Sequence, residues 1–347
     1  VTVESPLVWT LTVAVLIGII VFDFFVVVRK PHEPTFKESL RWTGFYVGLA
    51  CLFGASMFVW NGTQPATEFF AGYLTEWSLS VDNLFVFLVI LTRFAVPAQY
   101  RQRVLLVGVV LALVLRGIFI AAGAAAIAAF SWVFYLFGAF LIWTAFSVAR
   151  EGGAEEGDVE YKENAVMRLV ARLVPVTDGY RGARLMIREN GLRLITPLLM
   201  VMIAIGTTDV LFALDSIPAI FGLTHDPYIV FTANAFALMG LRQLFFVVQG
   251  LLTRLIYLSY GLAAVLTFIG LKLIFEALHS NRLPFINGGE PVEWAPDIPT
   301  WVSLVVIVVC VGGAAAASLI STRGQRQATS GAESAGADTP DPPASAG

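Results

Sequence analysis

The chain has 347 residues, of which 57% are hydrophobic and only 14% charged, with a mean hydropathy of +0.78. Soluble domains carry about a quarter charged residues, so this balance excludes an ordinary soluble enzyme and predicts a protein embedded in the lipid bilayer. A net charge of −3 gives no basic footprint for nucleic acid, and Cys51 and Cys310, each inside an apolar stretch, supply neither a disulfide framework nor a metal-binding pair.

Apolar runs long enough for a hydrocarbon core of about 30 Å fall at approximately 7–28, 40–60, 69–91, 104–122, 130–149, 195–222, 228–249, 255–278 and 300–320. The expected fold is therefore an all-α polytopic membrane protein with about nine transmembrane helices. No basic region precedes the first run and no small-residue cleavage site follows it, which predicts a retained anchor helix rather than a signal peptide. The opening valine fits an alternative start codon or a trimmed methionine. Arg29, Lys30, Lys37 and Arg41 follow span one, Arg93, Arg101 and Arg103 follow span three, and eight more basic residues run from Arg150 to Arg193. Arg254, Arg323 and Arg326 fall on the same side, whereas the alternate loops hold only Arg282. The positive-inside rule then places the N-terminus outside and the C-terminus in the cytoplasm of a plasma-membrane protein.

Residues 1–322 read as the membrane domain, with one cytoplasmic insertion at 150–194. Within it Ala165, Leu169 and Leu173 repeat at helical spacing beside Arg168 and Arg172, as in a short amphipathic surface helix ended by Pro175. Leu185 and Ile187 before Asn190-Gly191, with Leu192 and Leu194 after it, form a hairpin signal. The tail at 323–347, rich in Ala, Gly, Ser and Pro, reads as disordered.

The organising stretch runs from Met202 to Thr224, where Asp209 and Asp215 interrupt an apolar segment of membrane length. Each carboxylate near the centre of a spanning helix costs about 2.5 to 3.5 kcal/mol on insertion scales, so both must face protein, water or an ion. Pro218 lacks an N–H and its ring collides with the carbonyl of Leu214, which predicts a kink or break beside the acid and freed carbonyls there as cation ligands.

The pattern occurs twice. Span three carries Glu76 and, six residues on, Asp82-Asn83; span six carries Asp209 and, six residues on, Asp215-Ser216. The next helix of each set bears a membrane-depth arginine, Arg116 or Arg242, and the third a Tyr and Gly near its start, Tyr135 with Gly138 and Tyr260 with Gly261. The second unit begins three spans after the first, so the two cross the bilayer in opposite directions and spans 3–5 and 6–8 are expected to form an inverted 3+3 repeat with its site near the midplane. A six-residue spacing sets two side chains about 120° apart and roughly 9 Å along a regular helix, so one ion bridges such a pair only after local unwinding. Otherwise the acids serve successive stations, with Asp82 and Asp215 meeting across the pseudo-twofold axis.

Ser78-Leu-Ser-Val-Asp-Asn83 and Thr207-Thr-Asp-Val-Leu-Phe-Ala-Leu-Asp-Ser-Ile-Pro-Ala219 closely resemble the motifs of the TerC (tellurium resistance protein C / Alx) family of integral membrane proteins, over spans one to nine. The resemblance implies a lysine-exporter-like transporter with manganese efflux as its role and, in some members, supply of metal to exported proteins. The family's acidic motif residues carry over onto Asp82, Asp209 and Asp215, with Glu76 and Asn83 beside them.

The metal-site set is thus Asp82, Asp209, Asp215, Glu76, Asn83 and Thr208, with Thr207, Ser216 and Asn234 as further groups suited to an oxygen shell. Such a shell, without Cys or His, suits Mn²⁺, Mg²⁺ or Ca²⁺. The expected function is divalent-metal export, manganese first, in exchange for protons, with no catalytic residues and no tightly bound cofactor. Two alternatives keep the same acids: a metal-dependent scaffold that serves protein secretion machinery, and a component of tellurite resistance. An intramembrane aspartyl protease is remote, because its Gly-x-Gly-Asp context is missing.

The competing reading of the acids is a structural ion pair with Arg116, Arg242 or Lys272. Glu76, taken to lie nearer the outer end of its span, fits a vestibule equally well. Asp23 is expected to pair with Arg29 or Lys30, and Lys272 with Glu276 at i+4. His32, His225 and His279 are scattered and lack ligand spacing.

Overall fold

The computed structural model describes the backbone of residues 5–29, 34–130, 132–151, 170, 172, 175–177, 179–189, 192–249, 257–279, 281, 283, 286–292 and 294–336. Among these residues nine helices are long and apolar enough to cross a membrane. They are α1 (Pro6–Arg29), α2 (Phe36–Trp60), α3 (Thr63–Arg93), α4 (Ala98–Ala129), α5 (Val133–Glu151), α6 (Pro197–Phe221), α7 (Pro227–Gln249), α8 (Leu258–His279) and α9 (Thr300–Gly336). The all-α, nine-span expectation holds, with α3 and α4 each starting six residues earlier than their apolar runs.

Helix α7 is the axis of the bundle, with 20 of its 23 residues buried. A helix apolar on every side belongs inside a larger structure, and α2, α3 and α4 pack around this one. Helix α6 lies against α3 and α4, α5 pairs with α8, and α9 covers α8 and α3. The outermost helices are α1, which exposes Leu7, Leu11, Phe22 and Phe25, and α9, which exposes Trp301, Val305 and Val309. Continuous apolar exposure of this kind is stable against acyl chains.

Short connections fix neighbouring helices. Only Asn61 and Gly62 separate α2 from α3, and Gly62 adopts φ +94° while its N–H bonds the Met57 carbonyl at 3.0 Å. That left-handed conformation favours glycine. Between α5 and α6 the chain forms the expected two-stranded element: β1 (Met186–Glu189) pairs antiparallel with β2 (Leu192–Ile195), Ile187 opposite Leu194. The turn residues Asn190 and Gly191 lie outside the described residues, as does the expected amphipathic helix apart from Val170 and Arg172. The hairpin is tied to the bundle by Tyr180, whose hydroxyl donates to the Phe94 carbonyl at 2.6 Å, and by Thr196, whose hydroxyl donates to the Arg184 carbonyl at 2.8 Å.

Two expectations are corrected. Helix α6 runs unbroken from Pro197 to Phe221 with Pro218 inside it, so Asp209 and Asp215 lie on regular helix rather than beside an unwound segment. Pro218 occupies the last turn, so the one bond it removes, to the Leu214 carbonyl, falls where only three helical residues follow, and its own carbonyl accepts the Gly222 N–H at 3.0 Å. The tail, read as disordered from residue 323, continues α9 as helix to Gly336. A preformed transmembrane helix supplies the nucleus, after which each added residue gains a hydrogen bond at little cost; residues 337–347 lie outside the described residues.

The α5–α8 contact is a backbone-to-backbone approach through two glycines. A Cβ on Gly138 would lie 2.8 Å from the Gly270 carbonyl oxygen, and one on Gly270 would lie 3.0 Å from the Gly138 carbonyl oxygen. Small residues are the means by which membrane helices come this close. Gly138→Val is expected to lower stability by about 1–3 kcal/mol, the usual range for overpacking, read as a drop in the melting temperature of the detergent-solubilised protein; an unchanged melting temperature would contradict this packing.

Candidate functional site

Four helices meet at one buried arginine. Arg116, halfway along α4 and 1% exposed, sends one terminal nitrogen to Glu76 Oε2 of α3 and, at 3.1 Å, to Asn234 Oδ1 of α7. Its other terminal nitrogen lies 3.4 Å from Asp209 Oδ1 of α6, and its Nε 3.5 Å from Asp209 Oδ2. Glu76 is 0% exposed, and Asp209 and Asn234 1% each. Guanidinium is suited to this because its planar fork meets carboxylates on two edges. The Asp209 contacts are at the long limit of hydrogen bonding, so that pairing is electrostatic more than directional.

The site is under-satisfied. Two carboxylates face one guanidinium, and Glu76 Oε1, Asn234 Nδ2, Ser80 Oγ and Ser216 Oγ are buried without a hydrogen-bond partner. The Ser216 hydroxyl lies beside the Glu76 carboxylate without reaching hydrogen-bond geometry. Elsewhere in the bundle hydroxyls satisfy themselves on the preceding turn: Thr75, Ser78, Thr207, Thr232, Thr267 and Ser318 all donate to the i−4 carbonyl. A buried polar atom left unpaired costs about 1–3 kcal/mol, so a cluster of them around a surplus negative charge has the character of a cation site. Its donors are carboxylate, amide and hydroxyl groups, a hard-ion set. Among the described residues no three acidic, His or Cys side chains converge in metal-binding geometry.

Of the sequence-predicted residues, the structure brings together Glu76 and Asp209, the first acid of each motif. Glu76 is not in a vestibule. Because α3 begins at Thr63, Glu76 sits about 20 Å from that end of the helix and is sealed. Asp82 and Asp215 lie on the helical backbone of α3 and α6, but their side chains fall outside the described residues. Asn83 and Thr208 are buried, yet among the described hydrogen bonds neither joins the Arg116 network. Asn234 does, although it figured only among the accessory amides; an amide in an otherwise apolar run was its signal.

A second buried arginine lies toward the hairpin side. Arg242 of α7 pairs with Asp23 of α1, 219 residues away in sequence, and donates to Gln102 Oε1 of α4 at 3.1 Å. Asp23 was expected to pair with Arg29 or Lys30. Instead it occupies the buried face of α1 that also holds Leu16, which turns it into the bundle rather than toward the helix end. On the opposite side of the bundle a cavity of about 730 Å³ is lined by Glu68, Asp226, Lys272, Glu276 and Asp297. The expected Lys272–Glu276 pair is present as an electrostatic interaction, with both residues in the lining of this cavity.

Comparison with known proteins places these residues in a family. The model of the integral membrane protein TerC family matches residues 61–326. An uncharacterized membrane protein of Mycobacterium tuberculosis is 50% identical over 324 residues, covering 93% of this chain and 81% of that one. One from Myxococcus xanthus is 42% identical over 322 residues, covering 93% and 95%. A protein of Escherichia coli named Alx (membrane-bound redox modulator) is 39% identical over 283 residues, covering 79% and 87%. No solved structure matches.

Removing one partner of a buried charge network leaves the others uncompensated, at a cost of about 3–5 kcal/mol. Arg116→Gln is therefore expected to lower the melting temperature sharply, and Glu76→Gln added to it to recover much of the loss. A double-mutant cycle on melting temperature checks this; additive losses would show that Arg116 and Glu76 do not act together.

Proposed function

The chain belongs to the TerC family of integral membrane proteins, and from that footing we propose that it exports divalent metal ions, manganese first, through the Glu76–Asp209 site. The observation that carries the reading is the surplus charge: two sealed carboxylates share one guanidinium, and one carboxylate oxygen is unpartnered. An intramembrane acid is costly enough to be functional by default, and a net negative oxygen-rich site is what a hard cation needs.

In the proposed cycle the metal ion enters from the cytoplasm and takes the Glu76 and Asp209 oxygens, while Arg116 withdraws toward Asn234. Asp82 and Asp215, about one and two-thirds turns along the same helices, act as further stations. Crowded carboxylates in low dielectric cannot all remain ionised once the metal leaves, so protons return as the metal departs. The inverted 3+3 repeat, which remains part of the proposal, supplies the two halves that rock about the site. The N-terminus outside and the C-terminus in the cytoplasm follow from the basic loops. The redox description belongs to the E. coli relative; this chain's two cysteines, Cys51 and Cys310, are free thiols on α2 and α9.

The test is Mn²⁺ uptake by proteoliposomes under an opposing pH gradient. Glu76→Gln and Asp209→Asn are each expected to lower flux by about 100-fold or more, at or beyond the 10–100-fold typical of groups that only support a metal ligand. Wild-type flux in both variants would remove the basis of the reading.

A further inference from the structure

The Arg242 network lies apart from the site just described. On α7 eight residues, about 12 Å, separate Asn234 from Arg242. Asp23 and Gln102 lie within about 9 Å of the hairpin-side ends of α1 and α4, whereas Glu76 and Asp209 are at least about 18 Å from the corresponding ends of α3 and α6. Two helices serve both networks in exchanged roles. At one, α4 gives the arginine and α7 the amide; at the other, α7 gives the arginine and α4 the amide.

The second network is also under-satisfied. Tyr46 of α2 lies beside both Asp23 and Arg242. Thr43 and Ser39, one and two turns nearer the hairpin side, occupy the same buried stripe as Tyr46. Thr43 Oγ1, Ser39 Oγ and Arg242 Nε are all buried without a partner. The Glu38 carboxylate, in the first turn of α2, lies within electrostatic reach of Arg242. Of the six serine and threonine hydroxyls left unpartnered among the buried atoms of the described residues, Ser39 and Thr43 belong to this row. Two unpaired hydroxyls between the start of α2 and a buried carboxylate are not needed for packing, since each could bond its own i−4 carbonyl as the others do.

We propose that Asp23, with the Gln102 carbonyl and the Tyr46 and Thr43 hydroxyls, forms a second divalent-cation station on the hairpin side, held in the empty protein by Arg242. Arg242 is its tethered counter-ion, as Arg116 is at the first site, and the Glu38 carboxylate within its electrostatic reach supplies the second negative charge. The Ser39–Thr43–Tyr46 row lines the way from the surface. The inference rests on the ion-carrier reading for its ligand, and its test separates the two.

Mn²⁺ bound to the detergent-solubilised full chain is counted by electron paramagnetic resonance, independently of flux. Wild type is expected to bind one ion more than the charge-neutral pair variant Asp23→Asn/Arg242→Gln, which keeps the helices together because both charges leave at once. Equal Mn²⁺ counts in a folded pair variant would overturn the station. Should the pair variant fail to fold, Asp23→Glu keeps the charge and shifts it by one methylene. A weakening of one class of Mn²⁺ sites by about fivefold supports the station, and unchanged affinity overturns it. Glu76→Gln/Arg116→Gln measured beside them reports on the first site alone, so loss of binding there and loss at Asp23 are read separately.

Discussion

An arginine between two carboxylates at membrane depth is the contact from which the rest of the bundle is set. None of the three groups has water to turn to, and each comes from a different helix: Glu76 from α3, Arg116 from α4 and Asp209 from α6. Bringing α7 in as the fourth wall adds the Asn234 carbonyl and closes the site. The arrangement constrains topology, because α3, α4, α6 and α7 must all pass the same point. It also explains why α7 has no lipid face, since α2, α3 and α4 enclose it. The apolar helices α1 and α9 can then lie at the rim, where their exposed Leu, Phe, Val and Trp side chains are at home.

The two arginines divide the acids unequally. Arg116 takes the first acid of both motifs, while Arg242 takes Asp23 from α1, a helix outside the proposed repeat. An exact twofold would give each arginine the same partners. Helices α4 and α7 exchange arginine and amide between the two networks, so the bundle has two different buried charge contacts along its length.

Much of this was legible in the chain. Hydropathy located all nine helices, because the cost of exposing polar backbone to lipid leaves long apolar runs as the only option. The acids announced themselves for the same reason, and Asn190-Gly191 marked the hairpin that β1 and β2 form. Depth was less legible. The polar start of α3, Thr63-Gln-Pro-Ala-Thr-Glu68, hid six residues of helix, and that alone moved Glu76 from a supposed vestibule to the sealed interior. Partner choice was least legible: Asp23 has Arg29 and Lys30 close by in sequence, but the face of α1 on which it lies sends it to Arg242. Pro218 misled because its effect depends on how much helix follows, and only three residues do.

On the ion-carrier reading proposed above, a tethered guanidinium also bears on which ions the site would select. With both carboxylates ionised, Glu76, Asp209 and Arg116 together carry a charge of −1, and the arginine already occupies the place of a monovalent ion. A sodium or potassium ion that displaced it would leave the carboxylates at the same net charge while forcing Arg116 to find other partners in a low-dielectric interior, where an unpaired charge is costly. A divalent ion instead neutralises both carboxylates, and the gain in Coulomb energy from the second charge is set against the arginine's displacement. On that reading the built-in cation would raise the threshold for every guest and be overcome most readily by one of charge +2. It would also limit how tightly that guest is held, because Arg116 stays tethered nearby and competes for the same oxygens. A carrier must release what it binds, and a site made of acids alone would bind more tightly and let go more slowly.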